Sequence, residues 1–243
     1  MKILIICAHP DDETIGMGGT LKKISKNNEV SILFISEGVT GRRDKGFKSN
    51  PRYEVSEKIK KEMLKDIEIR KKHAKNALGI LGIKNMKFLD LPNMELDQIP
   101  LLKITKEIEK EIYKIKPEVV FTHHYNDLNQ DHRIVYEATV TATRPIPGST
   151  VNLLCSFEIP ASTDWRKPYK FNPNLFVDIT KEIEIKIKAL KSYHYEIRKN
   201  PHPRSEIMTK VIAQRWGSLS NNYFAEAFEI IMLRTKNMKN LGF

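Results

Sequence analysis

The chain reads as an α/β domain on a mainly parallel sheet, with an elaborated C-terminal third. Three observations predict this. Short, nearly continuous apolar runs such as Lys2–Ala8, Val30–Ser36 and Val119–His123 have the pattern of strands buried on both faces. Segments with helical spacing alternate with them, and strand, helix, strand within about forty residues is the parallel βαβ pattern. With 243 residues, 40% of them apolar and 29% charged, the chain is long enough and apolar enough to bury a full core.

The first strand ends at His9-Pro10-Asp11-Asp12-Glu13. Thr14–Asn27 follows as a helix, with Ile15, Leu21 and Ile24 among its apolar positions, and Val30–Ser36 as the second strand. Glu37–Pro51 is polar and holds Gly38, Gly41 and Gly46. It reads as a long loop at the carboxyl end of that strand, where loops line the ligand crevice of open α/β sheets. Glu57–Leu81 is a long helix closed by Gly82, and Asn85–Leu89 a candidate third strand. Ile99–Ile115 is helical up to Pro117, Val119–His123 is the fourth strand, and Gln130–Thr143 is the next helix, broken by Pro145 and Pro147. Val151–Ile159 is strand-like. Pro160–Pro173 is irregular, with Trp165, Tyr169 and Phe171 available to pack or to line a cleft. Ile179–Arg198 is helical, its Ile183, Ile187, Leu190 and His194 following three-to-four spacing although Ile185 does not. Asn200–Arg204 is a loop, Ser205–Gln214 a short helix, and Ala227–Leu233 a final strand or apolar tail. No repeat or linker divides the chain, so residues 1–243 are expected to form one domain.

The formal charge of +11, from 41 basic and 30 acidic residues, is of the kind that attracts nucleic acid, anionic surfaces or acidic substrates. There is no concentrated arginine–aromatic patch. The lysines spread over helical segments such as Lys58–Lys72 and Lys103–Lys116, interrupted by Glu62, Asp66, Glu68, Glu107, Glu109 and Glu111. A solvated surface is the expectation, with no nucleic-acid partner. A milder consequence is a field that favours a phosphate- or nucleotide-linked substrate. Cys7 and Cys155 sit in strand-like runs and are expected to be buried, inert thiols, which suits a reducing compartment. Lys2–Ala8 is too short an apolar run for a signal peptide, and no stretch approaches the ~20 apolar residues of a membrane span. Cytoplasmic location is the default expectation, and a homo-oligomer stays open.

The loop after the first strand is the most informative stretch. Three carboxylates beside a histidine are costly to bury unless a cation compensates. His9 and Asp12 stand close enough in a tight turn to bind one ion, and imidazole with carboxylate suits Zn²⁺, Mn²⁺ or Fe²⁺. Asp11, between them, is free to stay off the metal and act as general base toward its water. Glu13 at the helix start is equally a plain helix-terminus device. Gly16, Gly18 and Gly19 let the backbone pass close to a neighbour, and they lack the order of a dinucleotide fingerprint.

A second polar cluster, His123-His124-Tyr125-Asn126-Asp127-Leu128-Asn129-Gln130-Asp131-His132-Arg133, follows the fourth strand. Parallel topology brings it to the same sheet edge. His132 is the third candidate ligand, completing a His-Asp-His set with an open position. Asp131 is a candidate partner for a ligand or catalytic histidine, or a helix cap, or both. His123 and His124 read as packed strand-end residues more readily than as catalysts. Asn126, Asp127 and Asn129 are turn formers, or else one of them bonds a substrate hydroxyl or carbonyl.

Together the clusters resemble the LmbE-like (PIG-L-like) zinc-dependent N-deacetylases, whose signature is an Ala-His-Pro-Asp-Asp-Glu loop and a distant Asp-His pair. Here these are Ala8–Glu13 and Asp131-His132. Arg70–Gly82 resembles the family's arginine-led helix ending in Leu-Gly. His202-Pro203-Arg204-Ser205 and Tyr223–Glu229 resemble the tail of some members. The resemblance implies a Rossmann-like three-layer sandwich and removal of acetyl from N-acetylated sugars. Family substrates include glucosamine-inositol precursors, phosphatidylinositol-linked glucosamine, chitobiose and antibiotic intermediates. It implies one Zn²⁺ held by His9, Asp12 and His132, Asp11 as base, and Arg70 gripping polar substrate groups. Many members carry His-Pro-Asp-His at the second cluster, where this chain has Asn129-Gln130-Asp131-His132. Asn129 donates hydrogen bonds but supplies no proton, which leaves His202 or Asp11 as the acid. Arg42, Arg43 and Lys45 are candidates to hold a substrate phosphate or carboxylate, or simply solubilising charges. The rival readings are an amidase acting on a small non-sugar amide and, from another class, a basic polyanion-binding protein.

Overall fold

The computed structural model describes residues 1–235. Seven strands form one sheet in the order β3-β2-β1-β4-β5-β7-β6. β1 (Lys2–Cys7), β2 (Glu29–Ser36), β3 (Asn85–Leu91), β4 (Val119–His123) and β5 (Leu153–Phe157) are parallel. β7 (Ala225–Leu233) runs antiparallel to β5, and β6 (Leu175–Asp178) antiparallel to β7.

The pleat of β1 sorts its side chains between two cores. Ile3, Ile5 and Cys7 join the core covered by α1 (Asp12–Ile24), α2 (Glu57–Leu81) and α6 (Ile183–Leu190). Leu4, Ile6 and Ala8 join the core covered by α3 (Leu101–Ile115) and α4 (Gln130–Ala142), through Ile104, Ile108, Val135 and Ala138. A strand buried on both faces has no use for polar alternation, which is why Lys2–Ala8 reads as a continuous apolar run. The result is the expected three-layer sandwich with a mostly parallel sheet. The chain moves outward from β1 to β2 and β3, then crosses back to β4 on the other side of β1. Connections leaving the carboxyl ends of β1 and β4 therefore diverge and open a crevice between them.

Local signals account for most helix ends. Ser56 caps α2 by accepting the Ile59 N–H at 3.4 Å, and Gly82 ends it at φ 88°. Ser205 caps α7 (Glu206–Ser218) in the same manner. α1 is kinked at Met17, with φ −144°. Its second half begins against Glu226 of β7, whose carboxylate accepts the N–H groups of Gly19 at 2.9 Å and Thr20 at 2.6 Å. Lys186 of α6 neutralises that buried carboxylate at 2.6 Å. The glycines permit this approach: a Cβ at Gly19 would stand 2.8 Å from Ile179, and one at Gly16 2.5 Å from the Phe157 ring.

The C-terminal third departs most from expectation. The helix expected over 179–198 is confined to α6, which tightens after Leu190 into a 3-10 turn, Lys191–Tyr193, and this turn swings Tyr193 into the first core. His194, which extended the helical spacing in the sequence, lies beyond the helix and is exposed. The irregular 160–173 stretch holds a single helical turn, α5 (Ser162–Trp165). β6 gave no sequence signal because it has four residues and pairs on one edge only. Cys7 and Cys155 are buried and free, and burial pushes the Cys155 thiol up to about 12. Among the described residues no helix is long and apolar enough to cross a membrane.

Candidate metal centre

The β1 and β4 loops meet at the crevice. His9 Nδ1 lies 3.3 Å from His132 Nε2, and the Asp12 carboxylate bridges them, Oδ2 at 3.4 Å from His9 Nδ1 and Oδ1 at 3.5 Å from His132 Nε2. In a tetrahedral zinc site with bonds of ~2.0–2.1 Å, neighbouring donors stand ~3.3 Å apart. The three buried side chains thus form a triad that fits one small divalent ion.

Carboxylates behind the histidines choose which nitrogen faces the centre, as they do in metal sites generally. Asp131 Oδ2 lies 3.0 Å from His9 Nε2 and leaves Nδ1 for the ion. Asp131 is held in turn by the N–H groups of Met94 at 2.7 Å and Leu96 at 3.3 Å. Asp127 Oδ1 lies 3.2 Å from His132 Nδ1, an electrostatic contact rather than an aligned hydrogen bond. The Ser162 hydroxyl, the Thr163 hydroxyl at 2.7 Å and the Asn129 N–H at 2.8 Å fix Asp127. Burial opposes a charged His9, but Asp12 and Asp131 outweigh it and push its pKa up to about 10. Burial likewise opposes a charged Asp12, yet His132, His123 and His9 hold it well below the usual carboxylate range. The pocket is built for a cation, and a proton and a metal ion compete for the same nitrogen.

Asp11 stands beside the triad without joining it. Its backbone adopts φ 139° and ψ −27°, a sparsely populated conformation that costs about 1–3 kcal/mol. Its N–H donates to Glu13 Oε2 at 3.0 Å, and Arg70 Nη1 donates to its Oδ2 at 3.3 Å and to Pro10 O at 3.2 Å. Burial raises the Asp11 pKa and Arg70 draws it back, leaving it at about 6. Burial raises Glu13 to about 7 against the hydrogen bonds of Thr14 and Tyr193.

The remaining candidates divide. Asp131 both backs His9 and opens α4, but the cap itself is Asn129, whose side-chain oxygen accepts the Asp131 N–H at 2.9 Å. That bond leaves only the Asn129 amide group for a ligand. Arg70 is fully buried and divided between the Asp11 loop and Glu196. Arg42 is committed to Phe47 O at 3.0 Å and to Glu196, Arg43 to Glu95, and Lys45 to Glu62 at 2.8 Å. The basic loop is therefore paired internally. His202 is half-buried at 5.5 Å, edge to face, from the exposed Trp165 and accepts the Arg204 N–H at 3.0 Å. Among the described residues it makes no hydrogen bond to the triad. Burial, Arg204 and Arg198 lower its pKa.

His123 is a wall of the site. It stacks on His132 at 4.0 Å, accepts the Ala8 N–H at 2.8 Å, and is driven to a pKa of about 4, chiefly by burial. Sequence reasoning missed the parts played by Tyr193 and Glu196, which lie far along the chain and carry no local motif. Asp127 was readable as a turn former, which it is, but its contact with His132 was not.

Residues 4–143 match the family described as PIG-L: GlcNAc-PI de-N-acetylase. The chain belongs to this family. Both PIG-L loops that build the triad lie inside the matched region. The chain is 28% identical over 239 residues to a diacetylchitobiose deacetylase of Thermococcus kodakarensis, covering 95% of this chain and 83% of that protein. The N,N′-diacetylchitobiose deacetylase of Pyrococcus horikoshii, solved with its inhibitor MPG, aligns with a TM-score of 0.73 at 24% identity, over 95% of this chain and 83% of that one. GalB, the 4-carboxy-2-hydroxymuconate hydratase of Pseudomonas putida KT2440, aligns with a TM-score of 0.70 at 20% identity, over 96% and 97% of the two chains. Likeness at such identities speaks for the fold alone. A fold shared with a hydratase leaves the reaction to be argued from the site.

Proposed function

We propose that the protein is a metal-dependent hydrolase that removes acetyl from an N-acetylated amino sugar or sugar conjugate, with Zn²⁺ as the resident ion. The observation that carries this reading is a buried His9-Asp12-His132 triad whose ligand atoms all lie within 4.8 Å of one another, with a separate carboxylate, Asp11, beside it. The PIG-L family and the chitobiose-deacetylating relative supply the substrate class.

A divalent ion bound there supplies Lewis acidity and a more acidic water. His9, Asp12 and His132 would hold it, and Asp131 and Asp127 keep the two imidazoles turned inward. Asp11, with a pKa of about 6, accepts a proton from the water that attacks the acetamide carbonyl. The same carboxyl returns that proton to the departing amine, so acetate and a free amino group leave. His202 stands edge to face with Trp165, with its pKa lowered by burial, Arg204 and Arg198, and serves as a substrate contact rather than as the acid. The Asn129 amide group is a further candidate for substrate oxygens, while Arg70, buried and bound to Pro10, Asp11 and Glu196, acts on the base instead.

The test is acetate release from zinc-repleted protein. The panel comprises N-acetylglucosamine, N,N′-diacetylchitobiose, phosphate- and nucleotide-linked N-acetyl sugars, and simple non-sugar amides. Release from a sugar, lost on chelation and restored by zinc, is expected. Turnover confined to non-sugar amides would replace the substrate class, and full turnover after chelation would overturn the mechanism.

A further inference from the structure

We infer that the Tyr193–Glu196 turn is a two-armed positioning device for Asp11, with Tyr193 acting through Glu13 and Glu196 acting through Arg70. The inference rests on the reading of Asp11 as the base.

The first arm runs through the backbone. The Tyr193 hydroxyl donates to Glu13 Oε1 at 2.8 Å, and Glu13 Oε2 accepts the Asp11 N–H at 3.0 Å. Glu13 and Tyr193 are buried, 0% and 1% exposed, so neither bond competes with solvent. The second arm runs through the side chain. Glu196 accepts from Arg70 Nη2, while Nη1 of the same guanidinium holds Asp11 Oδ2 at 3.3 Å and Pro10 O at 3.2 Å. The two arms start from one turn, closed by the Glu196 N–H donating to Tyr193 O at 2.7 Å. The Tyr193 ring also lies 5.9 Å from the Arg70 guanidinium, which couples the arms directly.

A strained backbone persists only where its surroundings over-determine it. Asp11 at φ 139° has its amide fixed by one arm and its carboxylate by the other. Neither arm makes a side-chain hydrogen bond or ion pair to His9, Asp12 or His132, and the two histidines are oriented by Asp131 and Asp127. The turn therefore sets where the base stands while a different set of residues holds the ion. A sequence separation of 180 residues between Tyr193 and Glu13 places this control in the C-terminal third, outside the 4–143 region matched by the family.

Tyr193→Phe, made in the full chain and loaded with zinc, tests this. Three quantities are read: bound zinc per chain, kcat and KM for acetate release from N,N′-diacetylchitobiose, and the Asp11 backbone in a crystal structure. Zinc content and KM should stay at the wild-type level, and Asp11 should leave its φ of 139°. kcat should fall by about 10- to 100-fold, the scale of an ångström-sized misplacement. Glu196→Gln weakens the other arm, should act in the same direction, and serves if Tyr193→Phe does not fold. Wild-type kcat in the variants, loss of zinc, or lowered kcat with Asp11 unmoved would each overturn the inference. Asp11→Asn is run alongside. If it keeps turnover, the base reading falls and the positioning inference falls with it. If it is inactive while both turn variants are wild-type, only the positioning inference falls. Should wild-type protein release no acetate from this sugar, the Asp11 geometry in the variants alone decides.

Discussion

Asp11 and Asp131 are buried carboxylates at the same centre, and their partners give them different tasks. Asp131 receives two backbone N–H groups and meets the outer nitrogen of His9, so its oxygens are committed to orienting that imidazole. Asp11 is opposed by burial and steadied by one arginine, which leaves it a pKa of about 6, suited to proton exchange near neutrality. Asp11→Asn keeps the shape and should keep the metal, while turnover drops by about 10²–10⁴-fold. Metal analysis alongside acetate release checks both halves. Asp131→Asn should instead weaken metal binding by about 10–100-fold. Competition against a chelator of known affinity measures it, and unchanged affinity would remove Asp131 from its supporting role.

At the scale of elements, α1 links the site to the C-terminal third. Its first turn carries Asp12 and Glu13, and its second half is capped by Glu226 of β7, whose charge Lys186 of α6 neutralises. Glu226→Ala would leave Lys186 buried and uncompensated and the Gly19 and Thr20 N–H groups without a partner. The expected destabilisation is about 3–5 kcal/mol, read from the urea midpoint at constant slope. Because the kink at Met17 lies between that cap and the first turn, metal affinity should fall less than stability does. Affinity lost in proportion to stability would show that the halves of α1 are not separable.

For the whole molecule, two buried glutamates predict opposite pH dependences. Against burial, Arg70, Arg42 and Arg204 hold Glu196 down at about 2, below its ordinary 4.5. Its stabilisation is present above about pH 4.5 and is lost as pH falls toward 2. Glu158, inside the core beside Trp216, is pushed up by burial to about 7. The unfolded chain ionises it first, so stability declines between about pH 4.5 and 7. Urea unfolding across this range should show Glu196→Gln flattening the acid limb and Glu158→Gln flattening the neutral one. Identical curves for wild type and either variant would refute that assignment. Metal removal should lower the melting temperature, because an ion at 100 times its Kd stabilises by about 2.7 kcal/mol.

Read along the chain alone, the layers and the candidate metal triad are already legible. Continuous apolar runs need burial on both faces, so β1, β2 and β4 were legible, and Gly82 marked the end of α2 through backbone chemistry that acts locally. His9, Asp12 and His132 were legible because each follows a buried strand, and parallel topology sends both loops to one edge. The tertiary structure decided what depends on distant partners. It spent Arg42 and Arg70 on Glu196, turned Asn129 into a cap, set His202 against Trp165, and brought Tyr193 to Glu13. Charge and hydrogen bonding act over a few ångströms in space whatever the separation along the chain. A side chain's partners, and therefore its protonation and its task, are fixed only when the layers close.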